Sequence, residues 1–183
     1  MDQLNFDWIE GRVGFFPDGK RVYYSGNEPD RPRRIWIQDL DGGPPRPVSP
    51  DYTSRPVLTG DGRFFCARGS DFEWRLYPSD GKGDAAKVSG LLPGEEPIRA
   101  VPGDRWLYVR GADELRPGES VMTTRVYRLD PRTGERRLWK EIPPGSPRSG
   151  GAISTILFSA DGKTCVWTHM RYTTELVLAE GLK

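Results

Sequence analysis

Acid–base or nucleophilic chemistry would have to run through very few residues in this chain. His169 is the single histidine among 183 residues, so a Ser-His-Asp triad has one candidate base. It follows the apolar run Cys165-Val166-Trp167 and reads as a strand-end or loop histidine. No G-x-S-x-G nucleophile elbow occurs. No glycine pattern suits a phosphate cradle, and no Cys/His cluster has zinc-ligand spacing. Asp39-Leu40-Asp41-Gly42 opens like a calcium loop, but Gly43-Pro44-Pro45-Arg46 supplies none of the further oxygens, so it reads as a turn. Glu95 and Glu96 are neighbours in a turn, and nothing marks them as an acid/base pair. These residues predict no catalytic set, no metal site and no cofactor. Recognition is the remaining chemistry, and for it the candidates are Trp8, Tyr52, Arg55, Glu96 and Arg148. Aromatic and arginine side chains are favoured at binding hot spots. Trp8 read alternatively is core, and Arg55 read alternatively pairs with a nearby acid.

The elements that would position these residues are set by a recurring motif. Phe15-Phe16-Pro17-Asp18-Gly19-Lys20-Arg21 returns as Leu58-Thr59-Gly60-Asp61-Gly62-Arg63-Phe64. It returns, decayed, as Val101-Pro102-Gly103-Asp104-Arg105-Trp106, where the turn glycine after the aspartate is lost. Phe158-Ser159-Ala160-Asp161-Gly162-Lys163-Thr164 is the fourth copy. The aspartates are offset by 43, 43 and 57 residues. A period of this size marks a repeat architecture in which each unit needs its neighbours to bury its apolar face. Asp-Gly between apolar runs is a strong short-hairpin signal, because glycine takes positive φ without steric cost. The runs between the turns are rich in β-branched and aromatic residues, as in Arg34-Ile35-Trp36-Ile37-Gln38. Prolines 44, 45 and 47 suit an edge strand, where a missing N–H does no harm. The expected fold is an all-β propeller of four-stranded antiparallel blades, four per chain, over residues 7–49, 50–92, 93–142 and 143–183. No helix of useful length is expected. Residues 114–124, with Pro117 and Gly118, read as an insertion in the third unit. In this layout the loops entering each blade and the loops between second and third strands share one face, and the five candidate binding residues fall there.

The fourth unit lacks an outermost strand, and Gln3-Leu4-Asn5-Phe6 is a surplus strand. The amino-terminal strand is expected to complete the last blade and so remove exposed edges. Closure can be internal, giving a four-bladed ring, or reciprocal between two chains, giving an eight-bladed homodimeric ring. The dimer is the favoured expectation, since exchange of a strand has a low cost when termini already pair.

Composition excludes several partner classes. With 27 basic and 26 acidic residues the net charge is +1, which argues against the clustered basic footprint of nucleic-acid binding. The basic knot at Arg31, Arg33 and Arg34 has Glu28 and Asp30 beside it. No apolar run reaches membrane-spanning length, and the amino terminus has no signal-peptide pattern, so no membrane contact is expected. Cys66 and Cys165 both fall in second-strand runs and read as small buried thiols. The compartment and the ligand stay open.

Phe16-Pro17-Asp18-Gly19-Lys20-Arg21, the Ile35-Trp36-Ile37 strand and Asp41-Gly42-Gly43 resemble a TolB-like propeller repeat. The resemblance covers nearly the whole chain. The ending Glu175-Leu176-Val177-Leu178-Ala179-Glu180-Gly181-Leu182-Lys183 is similar to the end of the propeller attached to some bacterial membrane-bound serine/threonine kinases, although no kinase motif is present. That resemblance implies a sensor or scaffold module cut from a longer protein, periplasmic or extracytoplasmic, with Met1 an artificial start. Similar repeats form the gating propeller of prolyl-oligopeptidase-like enzymes. The expected function is a non-catalytic ligand- or protein-binding module. The alternatives are a propeller-based lyase or hydrolase, or the accessory propeller of such a peptidase.

Overall fold

The computed structural model describes residues 8–112, 123–143, 152–159 and 161–170, and among these every regular element is a β-strand. The first sheet holds β1 (Trp8–Phe15), β2 (Arg21–Asn27), β3 (Arg34–Asp39) and β4 (Arg46–Pro47). The second holds β5 (Ser54–Leu58), β6 (Phe64–Arg68), β7 (Trp74–Pro78) and β8 (Ala86–Lys87). The third holds β9 (Glu96–Ala100), β10 (Leu107–Arg110), β11 (Thr124–Leu129) and β12 (Arg136–Ile142). The last pairs β13 (Ala152–Phe158) with β14 (Cys165–Met170). Each sheet is an antiparallel meander in chain order. The insertion expected in the third unit falls between β10 and β11. The expected strands at 3–6 and 176–178 lie outside the described residues.

The recurring motif makes the first hairpin of each blade, but not by the mechanism expected. Gly19, Gly62 and Gly162 have φ of 67°, 70° and 68°, while Asp18, Asp61 and Asp161 do not take positive φ. A two-residue mirror-image turn needs positive φ at both central positions. Here each glycine instead ends a four-residue turn, its N–H donating to the carbonyl of Phe16 (3.0 Å), Thr59 (2.8 Å) or Ser159 (3.0 Å). The aspartate is the brace. Its carboxylate accepts the N–H two residues on, from Lys20 (2.9 Å), Arg63 (3.0 Å) and Lys163 (3.1 Å). The decayed third copy keeps a turn with its glycine before the aspartate, at the third turn position and not the fourth. Gly103 sits at φ 79°, and Asp104 N–H reaches Val101 O at 3.0 Å. With Pro102 at the second position and glycine at the third, this is the pattern of a type II turn.

Strand alternation explains why the blades stack. Successive side chains point to opposite faces. Phe65 therefore joins Phe16, Tyr23, Ile35, Ile37 and Val48 of the first blade, while Cys66 beside it joins Leu107, Val109 and Leu129 of the third. Tyr77 and Leu76 divide in the same way. In the third blade Leu107 faces back, and Tyr108 faces forward into a cluster with Val126, Ile142 and Ile153, against which Phe158 and Trp167 pack. The second and third blades each supply half of two cores, so each needs both neighbours to bury its apolar faces. Aromatic edges seal the seams, with Tyr23 and Phe65 centroids 5.0 Å apart and Tyr108 and Phe158 4.6 Å apart.

The outer strands β4 and β8 are two residues long and exposed, which limits edge-to-edge pairing. Pro47 sits in β4, as an edge strand permits. Cys66 is fully buried as expected, but Cys165 is only half-buried, as it opens β14 directly after exposed Lys163 and Thr164. Neither cysteine is disulfide-bonded.

Candidate functional site

The loops that enter the second and third blades (48–53 and 88–95) and the loops between second and third strands (28–33 and 69–73) emerge at one rim. Trp8 starts β1 on this rim, opposite Asn27 in the ladder. Two clefts open there. The first, about 470 Å³, is lined by Asn27, Arg31, Arg33, Tyr52, Arg68 and Phe72 among others. Tyr52 and Phe72 are 62% and 69% exposed. Both sit in the left-handed backbone region, at φ 64° and 66°, which bulky residues rarely occupy.

Phe72 is held there by its surroundings. Its N–H donates to Gly69 O at 3.0 Å, and Gly69 N–H donates to Glu73 O at 2.9 Å. The Arg68 guanidinium lies 4.8 Å above the Phe72 ring, and its Nε donates to the Phe72 carbonyl at 2.9 Å. Asp71 accepts two bonds from Arg75, at 2.7 and 2.6 Å. Those bonds hold the Asp71 carboxyl well below its usual range and raise the Arg75 guanidinium in turn. The loop is a braced projection carrying an exposed ring.

The second cleft, about 620 Å³, runs along the seam between the second and third blades and shares Arg68 and Phe72 with the first. Arg55 and Glu96 line it and pair across the seam at 3.1 Å. Arg55 also takes a left-handed backbone, at φ 54°. Below them Glu95 is buried, its carboxylate forked by Arg136 and accepting the Leu92 N–H at 3.0 Å. The two adjacent glutamates thus serve separate ion pairs.

Of the residues singled out from sequence, the structure brings Tyr52, Arg55 and Glu96 to this rim and places the Trp8 backbone on it. The Trp8 side chain and all of Arg148 lie outside the described residues. Arg55 does pair with a neighbouring acid. Phe72 and Arg68 were missed. The available signal was Phe72 itself, an aromatic stranded between Asp71 and Glu73 in a polar loop. The His169 backbone pairs with Ile153 in the fourth sheet, and its side chain is likewise outside the described residues. Asp39–Gly42 is a turn, closed by Gly42 N–H on Asp39 O at 3.4 Å. Among the described residues no group of three or more His, Cys, Asp or Glu side chains could hold a metal ion.

No protein-family model and no curated protein sequence matches the chain. Solved structures do. TolB from Acinetobacter baumannii superposes with a TM-score of 0.56 at 19% identity, over 86% of this chain and 37% of its own. A protein assigned as TolB from Agrobacterium tumefaciens gives 0.52 at 17% identity, over 87% of this chain and 65% of its own. A prolyl endopeptidase aligns at 0.48 and 17% identity over 23% of its length, too weakly to argue from. The chain spans 37% and 65% of the two TolB structures' lengths. These antiparallel blades have the TolB-like β-propeller repeat fold.

Proposed function

We propose that the chain is a non-catalytic binding module, the sensor or scaffold part of a larger protein, and that the loop rim is its recognition surface. One observation carries this reading. Tyr52 and Phe72, from adjacent connections, stand more than half exposed in strained backbone around a single cleft with Arg31, Arg33 and Arg68. Strained exposed residues persist only when the surrounding structure over-determines them, and such strain clusters at ligand clamps. Rigid aromatics ringed by arginine are the composition of hot spots. The ending at 175–183 supports attachment to a membrane-bound kinase, with an extracytoplasmic setting. The alternative enzyme reading rests on His169.

A photo-crosslinking residue at position 72 of the full chain tests this in cells of the source organism. The reading predicts one discrete adduct, competed away by excess wild-type chain but not by the Tyr52→Ser/Arg68→Ser variant. Adducts indifferent to that variant, or none, contradict it. A hydrolytic or lyase activity abolished by His169→Ala would replace it with the enzyme.

We propose further that two copies close one ring. On the face of the first blade turned away from the second, Tyr24 and Trp36 are buried, but Val13 and Phe15 on the inner strand are 61% and 66% exposed. On the corresponding face of the last blade, Leu157 and Val166, which are ladder partners, are 59% and 58% exposed. Faces of this kind are buried at each internal seam, and a second chain offers the complementary pair.

A further inference from the structure

Glu96 borders both the rim cleft and a second cavity of about 410 Å³, onto which the innermost strands of all four sheets converge. Val13 of β1, Val57 of β5, Ile98 of β9 and Leu157 of β13 contribute to its wall. Ile98 and Ile156, half-buried, offer apolar surface to this space. Three charged side chains line it, Glu96, Arg99 and Arg110. Glu96 is paired with Arg55 at 3.1 Å and stands directly across the β9–β10 ladder from Arg110. Arg99 has no comparable acid. Its Nε is buried and makes no hydrogen bond among the described residues. A desolvated guanidinium N–H that gains no acceptor is an unfavourable arrangement, and an anion that neutralises the same guanidinium from the cavity side offsets it.

We infer that this axial cavity binds a small ligand carrying one carboxylate on an apolar body. The Arg99 guanidinium presents parallel N–H groups in a fork that matches a carboxylate's two oxygens. The walls around Ile98 and Ile156 seat the apolar part, and the volume falls within the range of small-molecule pockets. A phosphate dianion fits less well, because the second cation, Arg110, already faces Glu96. The site is separate from the Tyr52–Phe72 cleft and does not depend on the rim reading.

Calorimetric titration of the full chain tests the inference. The probes are 4-phenylbutyrate and its amide, and the tripeptide Gly-Gly-Leu with a free or an amidated terminus. At least one acid is expected to bind saturably, with its amide at least tenfold weaker. Whether the small acid or the peptide binds identifies the source of the carboxylate. Arg99→Met should weaken the acid at least tenfold, and Arg99→Lys, which keeps the charge without the fork, should fall between. Because Arg99 has no ion pair or hydrogen bond among the described residues, Arg99→Met should melt no lower than wild type, so lost binding reports the site and not unfolding. Tyr52→Ser/Phe72→Ser should leave the titration unchanged. The inference is overturned if acid and amide bind equally or if neither acid binds. It also fails if Arg99→Met binds as tightly as wild type or melts several degrees lower.

Discussion

At the residue scale, glycine and aspartate matter here for different reasons. Gly60 is a point of close approach. A Cβ placed on it would lie 2.2 Å from Asp104 O and 2.3 Å from Val101 O, and its own carbonyl accepts the Gly103 N–H at 2.8 Å across the seam. Backbone cannot step aside as a side chain can. Gly60→Ala should therefore cost about 1–3 kcal/mol, as overpacking does, read as a lower urea midpoint. An unchanged midpoint would mean the second and third blades do not meet at this turn. The turn aspartates predict an acid response. Burial raises the Asp61 carboxyl, but bonds from Thr59 and the Arg63 N–H, with the Arg132 charge, more than offset it and leave it below 3.8. Asp18 and Asp161 are lowered in the same direction, chiefly by the Lys20 N–H and by Ser159. A carboxylate lowered in the folded state stabilises it above its unfolded value, and that contribution is lost as pH falls through the folded value. Stability should thus decline below about pH 4. The decline should be shallower in Asp61→Asn, measured by urea midpoints from pH 5 to 2.

At the element scale, the Glu95–Arg136 fork ties the connection entering the third blade to its outermost strand, β12. The Arg136 guanidinium also stacks 3.7 Å from the Tyr127 ring centroid. Glu95 is nearly inaccessible, so removing its partner leaves a buried charge. Arg136→Ala should cost about 3–5 kcal/mol, whereas replacing both residues with leucine should recover most of that. Thermal melts of the two variants decide it, and equal losses would show that the pair itself stabilises the fold. The strands around such contacts were readable in advance because motif, spacing and alternation all reported the same blade. Ile35 and Ile37 sit two apart and both face the second blade, as the alternation requires. What the sequence withheld was long-range or conformational. Nothing local announces that Glu95 finds Arg136, 41 residues away. The left-handed backbone at Phe72 is imposed by its braced loop, and Arg99 stands out only once four strands enclose a cavity around it.

At the scale of the whole molecule, assembly follows from which faces are covered. The internal seams are packed, while Val13, Phe15, Leu157 and Val166 leave apolar surface on the terminal blades. Light scattering should give twice the chain mass of 20.6 kDa. Leu157→Lys/Val166→Lys should reduce that to the single-chain mass with little loss of secondary structure. A wild-type monomer would refute the two-chain ring and leave blade stacking intact. Stacking itself is tested most directly across the first seam, where Tyr23 and Phe65 come from different sheets and their rings lie 5.0 Å apart. A double-mutant cycle with Tyr23→Leu and Phe65→Leu measures their coupling by chemical unfolding. The face-to-face arrangement predicts a coupling of about 0.5–1.5 kcal/mol, as for other packed aromatic pairs. Strictly additive losses would contradict it, because two rings on blades that did not share a core would have no means of sensing each other.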